Sequence, residues 1–204
     1  MSDKDVGEDS LKEACKLLTS ALKTRYKDWD GVNQFDGTSD RLFRLYKEFC
    51  WPIDKIESEV AKAFKVFDQE FSEMVVASPI RVWILCPHHL LPCKLDIAIG
   101  YIPSSQSKGK VLGLSKLVRV AEILGHRPIL QEQYVQDLVS TFETYLKPQG
   151  VAVYVRGEHG CMGSRGVRQS VPIHTSVVTG SFKDEGETRQ EFFSIVRYNG
   201  VTVV

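Results

Sequence analysis

The stretch Lys94-Leu95-Asp96-Ile97-Ala98-Ile99-Gly100-Tyr101-Ile102 decides the fold. Leu95, Ile97, Ile99 and Tyr101 alternate with Lys94, Asp96 and Ala98, the period of two expected of a strand with one buried face. Upstream, residues 73–85 are rich in Val and Ile and read as a partner strand. Pro79 interrupts it, as proline does at a sheet edge or bulge. Downstream, residues 103–109 read as a turn. The apolar period then becomes helical over residues 115–124 and 131–146. Gly125 and Pro128 break between these helices, and Pro148 and Gly150 end the second. Residues 151–158 and 173–182 return to strand patterning, and residues 185–197 close with a helix. The order from residue 73 is β-β-α-α-β-β-α, an α+β unit.

The chain ahead of this unit reads as helical. Residues 10–27 carry Leu11, Leu17, Leu18, Ala21 and Leu22 at helical spacing, with Ser10 as a cap. Residues 28–39 read as a loop and residues 40–50 as a helix. Pro52 suits the first turn of a further helix with Ile53, Ile56, Val60, Phe64 and Phe67 on one face. The expected division is a helical arm over residues 1–72 and an α+β domain over residues 73–204. A short apolar tail over residues 201–204 reads as a strand or a frayed end.

Composition narrows the class. The 204 residues are 43% hydrophobic and 25% charged, the profile of a globular protein. Net charge is +0, so no global basic field favours nucleic acid or acidic membranes. No apolar run approaches the roughly 18 residues of a spanning helix, and the acidic start does not read as a signal peptide. Five cysteines, an odd number, argue against a disulfide framework and for a reducing, cytoplasmic setting.

Three clusters carry the chemistry. Cys86-Pro87-His88-His89 and Glu158-His159-Gly160-Cys161 offer thiols and imidazoles at spacings that a turn or a strand end can bring together. Zinc takes such ligands, and a catalytic site keeps three of them plus an open position. One coherent choice is Cys86, His89 and Cys161 on the metal, leaving His88 and His159 for proton transfer. The alternative is a scatter of core cysteines and surface histidines. The third cluster is Ser115-Lys116-Leu117-Val118-Arg119. Ser115 stands at an N-cap position, and Lys116 and Arg119 share a helix face, which suits either an anion seat or a solvated basic face. Arg165 follows the second histidine cluster. Gln131 and Glu132 open the next helix, where a carboxylate either complements the helix dipole or accepts hydrogen bonds from a base edge. Cys93 reads as a small buried side chain.

In chain order, several segments resemble the GTP cyclohydrolase I family. They are Met74-Val75-Val76, Leu85-Cys86-Pro87-His88-His89-Leu90-Leu91-Pro92, Ala98-Ile99-Gly100-Tyr101-Ile102-Pro103, Val111-Leu112-Gly113-Leu114-Ser115-Lys116-Leu117-Val118-Arg119, Gln131-Glu132, Pro148-Gln149-Gly150-Val151-Ala152-Val153, Glu158-His159-Gly160-Cys161-Met162 and Arg165-Gly166-Val167. The agreement covers about residues 73–197, and the arm matches only in helical character. The resemblance implies a tunnelling fold, in which the antiparallel sheets of several subunits join into a barrel. It implies a homo-oligomer, usually a decamer, with active sites at subunit interfaces. The implied reaction converts GTP and water into 7,8-dihydroneopterin triphosphate and formate, for folate, biopterin-type or 7-deazaguanine synthesis.

The resemblance also assigns roles. Zinc falls on Cys86, His89 and Cys161. His88 and His159 match proton-transfer histidines. Ser115 matches a residue near the ribose and phosphates, and Lys116, Arg119 and Arg165 match triphosphate contacts. Gln131 and Glu132 match the purine end, with Glu132 as guanine anchor. Two positions depart from the family pattern. Pro87 stands where the family usually has Glu, and Cys93 stands where it commonly has an aromatic or other residue. A fourth thiol on zinc would close the open position. Two further readings compete: a tunnelling-fold enzyme for another purine or pterin, and a non-catalytic GTP-binding oligomer.

Overall fold

The computed structural model describes residues 3–68, 71–104 and 111–198. The tail over residues 201–204, and the turn beyond residue 104, lie outside them. The chain divides into two compact units, Met1–Pro52 and Ile53–Val204.

In the first unit, α1 spans Asp3–Arg25 and α2 spans Thr38–Phe49. The first helix starts earlier than its apolar period suggests, so Ser10 lies inside it and not at its cap. Acidic side chains near a helix start favour this extension. Glu8 meets Lys47 of α2 at 2.5 Å. The expected loop over residues 28–39 contains a 3-10 turn at Val32–Phe35, whose Phe35 packs on Tyr26 and Trp29.

The second unit opens with α3 (Ile53–Ala63), which buries Ile56, Val60 and Ala63. Phe64 and Phe67 do not extend its face. The helix stops at Ala63, and Phe64 stacks on Tyr145 with ring centroids 4.4 Å apart. Phe67 belongs to a short strand, β1 (Val66–Phe67), paired with β4 (Val111–Leu112). Ile53 is exposed.

The main sheet is antiparallel with the order β2-β3-β5-β6: β2 is Val75–Leu85, β3 Pro92–Ile102, β5 Gly150–His159 and β6 Ile173–Val178. β2 is an edge strand, and its register shifts between Ala77 and Ile80, the position of Pro79. Two helices connect β3 to β5, α4 (Leu114–Gly125) and α5 (Gln131–Leu146). The short α6 (Gly160–Gly163) follows β5, and α7 (Ser181–Asp184) and α8 (Gly186–Tyr198) follow β6. The observed sequence of major elements is the expected β-β-α-α-β-β-α unit.

Register shows which side chains share a face. Ile97 pairs with Val155 and Ile99 with Val153. This face lies under α4 and α5: Gly125 of α4 approaches Val82 and Ile84 so closely that a Cβ there would sit 2.9 Å from Val82. Ala98 pairs with Tyr154, and Gly100 with Ala152. That face is covered by Phe182 of α7 and by Phe192 and Val196 of α8. The sequence pattern places Ala98 on the polar side of β3, but the C-terminal helices bury that side as well. Gly100 lets Phe192 approach to where a Cβ would be 2.8 Å away.

Two element boundaries differ from the sequence reading. The strand expected over residues 173–182 ends at Val178. Gly180 has φ of +52° and lies against the Gln149 carbonyl, so the chain turns there into α7 and buries Phe182. Ser115 does not cap α4. The helix starts at Leu114 with Gly113 at the cap position, which leaves Ser115 exposed in the first turn.

Candidate active site

One end of the sheet face that carries α4 and α5 holds most of the chemistry. β2 ends at Leu85, and Cys86 opens a tight turn. The Leu90 N–H donates to the Cys86 carbonyl at 2.9 Å, and the Cys86 N–H donates to Leu91 at 3.0 Å. Leu90 takes φ of +52° to close it. Pro87 is exposed, and these turn bonds use the N–H groups of Cys86 and Leu90, so its missing donor leaves no gap in them. On the other side β5 ends at His159, paired with Cys93 of β3. Gly160 then turns the chain into α6. A Cβ on Gly160 would lie 2.7 Å from the Pro92 carbonyl, so glycine permits this approach.

The two turns converge. One ligand atom each from Cys86, His89 and Cys161 lies within 4.8 Å of the others, a group that could hold a metal ion. Ligand atoms on tetrahedral zinc, at about 2.0–2.3 Å from the ion, stand roughly 3.5–4 Å apart. Small side-chain adjustments therefore close the set. Two thiolates and an imidazole favour zinc over a hard ion such as magnesium. The Arg165 guanidinium donates to Nε2 of His89. Burial pushes the Cys161 thiol above its ordinary pKa, and neighbouring Cys86 pushes it further.

Cys93 stands beside this group and outside it. Its Sγ lies 3.3 Å from His159 Nδ1. Burial, with the nearby Cys161 and Cys86, pushes its pKa up to about 12, so it is a protonated thiol at neutral pH. Burial also holds His159 below the ordinary histidine value, opposed in part by the Glu132 carboxylate.

The other nitrogen of His159 meets α5. The Ile129 N–H donates to the Leu85 carbonyl at 2.9 Å, which ties the start of α5 to the end of β2. Gln131 is buried there, and its Oε1 is 2.8 Å from His159 Nε2. Its Nε2 donates to the Ile173 carbonyl and to Thr175 Oγ1, both at 3.0 Å. A carbonyl oxygen only accepts, so the amide nitrogen must face Ile173 and the oxygen must face His159. His159 is therefore the donor at Nε2, and in its neutral form Nδ1 is bare toward the Cys93 thiol. The space for this carboxamide comes from Gly157, where a Cβ would fall 1.9 Å from Gln131 Oε1.

The remaining sequence candidates are more dispersed. Glu132 is exposed in the first turn of α5, and His88 is exposed on the turn after β2. Ser115, Lys116 and Arg119 lie on the first turns of α4. Among the described residues none of the three has a hydrogen bond or ion pair to the cysteine group. Glu59 of α3, whose carboxyl is held below its usual pKa chiefly by its hydrogen bond with Lys62, also feels Arg119 slightly. Sequence reasoning missed Gly157 and Thr175 altogether, and it gave Cys93 no contact with His159. A glycine inside a strand as regular as residues 151–158 is a signal of close approach that was available.

An antiparallel α+β unit in which Cys86, His89 and Cys161 could hold a metal ion beside the half-buried His159 is an arrangement suited to an enzyme. The sequence model of the GTP cyclohydrolase I family matches residues 15–197, and the chain belongs to that family. GTP cyclohydrolase 1 of Pelotomaculum thermopropionicum is 39% identical over 93% of this chain and 97% of its own length. GTP cyclohydrolase 1 of Dictyostelium discoideum is 42% identical over 92% of this chain and 80% of its own. The archaeosine synthase QueF-Like in its apo form gives a TM-score of 0.44 at 20% identity, covering 52% of this chain and 93% of that one. The fold assignment therefore rests on the family match and on the sheet topology.

Proposed function

We propose that this enzyme hydrolyses GTP and rearranges it to 7,8-dihydroneopterin triphosphate, with release of formate. The observation that carries the reading is the convergence of Cys86, His89 and Cys161 within 4.8 Å, next to a histidine whose tautomer is set by its neighbours. Zinc held by these three residues would supply Lewis acidity and a water activated at neutral pH. The chain's own residues do the rest. His159 takes and returns protons at Nδ1, because Nε2–H is committed to Gln131. The weak thiol contact at Nδ1 is cheaply given up. His88, on the turn beside the triad, serves as the second proton carrier.

Positioning comes from charge. Glu132 accepts hydrogen bonds from the guanine edge, and Gln131 stands behind it. Arg165 exchanges its contact with His89 for a phosphate oxygen when GTP enters, a stronger partner for a guanidinium. Lys116 and Arg119, with Ser115 near the ribose, complete the triphosphate seat. The start of α4 lies by Tyr101, at the opposite end of β3 from Cys93, and this separation from the triad within one chain supports a site finished by neighbouring subunits of a homo-oligomer, a decamer in this reading. The catalytic domain is taken as residues 73–204 behind the arm over residues 1–72, and the setting as cytoplasmic. Among the described residues no helix is long and apolar enough to cross a membrane.

The test is direct. Metal-analysed protein is incubated with GTP, and formate is measured together with pterin fluorescence after oxidation. The reading requires both signals, and requires both to vanish on chelation and in Cys161→Ala. Bound GTP and bound zinc with neither product would sink it.

A further inference from the structure

Register places His159, Gly157 and Val155 of β5 on the same face as Cys93 and Leu95 of β3 and as Ile173 and Thr175 of β6. Gly157 leaves a gap in that face, and the Gln131 carboxamide fills it. Gln131 has one acceptor and two amide hydrogens. All are used: the oxygen on His159 Nε2, the hydrogens on the Ile173 carbonyl and Thr175 Oγ1. A buried carboxamide with one hydrogen unplaced is free to rotate toward other acceptors, while one with both placed is not.

From this network we infer that Thr175 is a positioning residue for the reaction. Its hydroxyl, with the Ile173 carbonyl, locks the Gln131 carboxamide so that Oε1 faces His159, and so fixes both the plane and the tautomer of that imidazole. Cys93 contacts Nδ1 from the opposite side, so the Gln131 carboxamide is the stronger of the two partners that orient the ring. The carbonyl of Ile173 is backbone and cannot be removed by substitution. Thr175 is thus the point at which the lock is open to test. The inference rests on the proposed role of His159 for its catalytic consequence, but not for the geometry.

Thr175→Val is close in shape to threonine and keeps the β-branch that a strand favours, while removing the acceptor. Thr175→Ser keeps the acceptor. In the full-length, metal-loaded protein, formate release by Thr175→Val should fall about tenfold in kcat, the scale of one buried hydrogen bond, with KM for GTP within about twofold. Thr175→Ser should restore kcat to within about twofold of the parent. A second readout is independent of turnover. Long-range proton–nitrogen correlations of 15N-histidine-labelled protein should show His159 as the Nε2–H tautomer in the parent and in Thr175→Ser, and a tautomer mixture in Thr175→Val.

Unchanged kcat in Thr175→Val, equal losses in the Val and Ser variants, or a loss confined to KM would overturn the inference. So would an unaltered tautomer in Thr175→Val. If the parent itself releases no formate, the proposed reaction fails, and the tautomer spectra alone then decide the lock.

Discussion

Replacing Gly157 by alanine tests the structure where fold and chemistry meet. The new Cβ would lie 1.9 Å from Gln131 Oε1 and 2.9 Å from both Gln131 Cδ and Leu95 Cδ2. No such contact is tolerable, so something must move. The far end of Gln131 is flexible and yields most easily, but it leaves its three partners, His159, Ile173 and Thr175. Three hydrogen bonds at a net value of about 0.5–1.5 kcal/mol each amount to roughly 1.5–4.5 kcal/mol. Alanine also narrows the unfolded ensemble, which returns about 0.4–1 kcal/mol. The expected loss of stability is therefore about 1–4 kcal/mol, read as a lower urea midpoint at an unchanged m-value. Formate release should fall as well, because His159 loses its partner at Nε2. Truncating Gln131 removes the obstacle, so Gly157→Ala should cost much less in a Gln131→Ala background than in the parent. A Gly157→Ala protein that unfolds within about 0.5 kcal/mol of the parent and keeps its kcat would refute the reasoning, since that is the scatter of ordinary neutral substitutions. Additive costs in the double variant would refute the assigned clash.

The other predictions concern the triad and the core. Cys161→Ser should lower bound zinc from stoichiometric to trace after dialysis against a mild chelator, read by metal analysis, because one of three ligands is lost; full retention would remove Cys161 from the site. Tyr134 donates to the Ala121 carbonyl at 2.7 Å from a fully buried position, so Tyr134→Phe should cost about 0.5–1.5 kcal/mol by denaturant unfolding. Burial raises the pKa of Tyr134. Its contribution is therefore present below about pH 10, the unfolded tyrosine value, and is lost as pH rises beyond it. The parent should lose stability above that pH more steeply than Tyr134→Phe, and parallel curves would count against this origin. Arg127 donates to Asp137 with both side chains three-quarters buried, and Arg127 Nε has no partner among the described residues. Asp137→Ala should therefore destabilise by about 1–3 kcal/mol, between the values for exposed and fully buried pairs, and an effect below about 0.3 kcal/mol would show the pair to be solvated.

Much of this architecture is written in local pattern. The alternation of Leu95, Ile97, Ile99 and Tyr101 marks β3 because one sheet face is continuously apolar. Pro79 marks an edge strand because it cannot donate to a ladder, and β2 is the edge. Ala98 is less legible, because α8 returns from nearly a hundred residues downstream to bury it. The end of β6 is equally hidden. Thr179-Gly180-Ser181 separates Val178 from Phe182, but the turn into α7 depends on Gly180 meeting Gln149, a contact no single segment encodes. Helix starts are hidden for a related reason: Ser115 and Ser10 are good caps by type, but the helices begin at Leu114 and Asp3.

The site divides along the same line. Cys86, His89 and Cys161 are legible because a metal demands particular atoms, and few residue types supply them. The support around His159 is not, since its members are ordinary: a glycine, a threonine, a glutamine and a cysteine that each suit many places. They become a site through register. Cys93 faces His159 because β3 and β5 pair in that phase, and Thr175 reaches Gln131 because it pairs with Val155, two residues before Gly157 on β5. A slip of one residue between β5 and β6 would turn Thr175 to the other face of the sheet. The candidate ligand set thus comes from chemistry that sequence displays, and the posture of His159 comes from strand phase, which only the assembled sheet displays. That difference predicts where divergence in this chain should be felt. Pro87 lies on an exposed turn whose described hydrogen bonds do not need its missing N–H, whereas Cys93 is buried and in direct contact with His159. Of the two departures, the one at position 93 should weigh more on the rate.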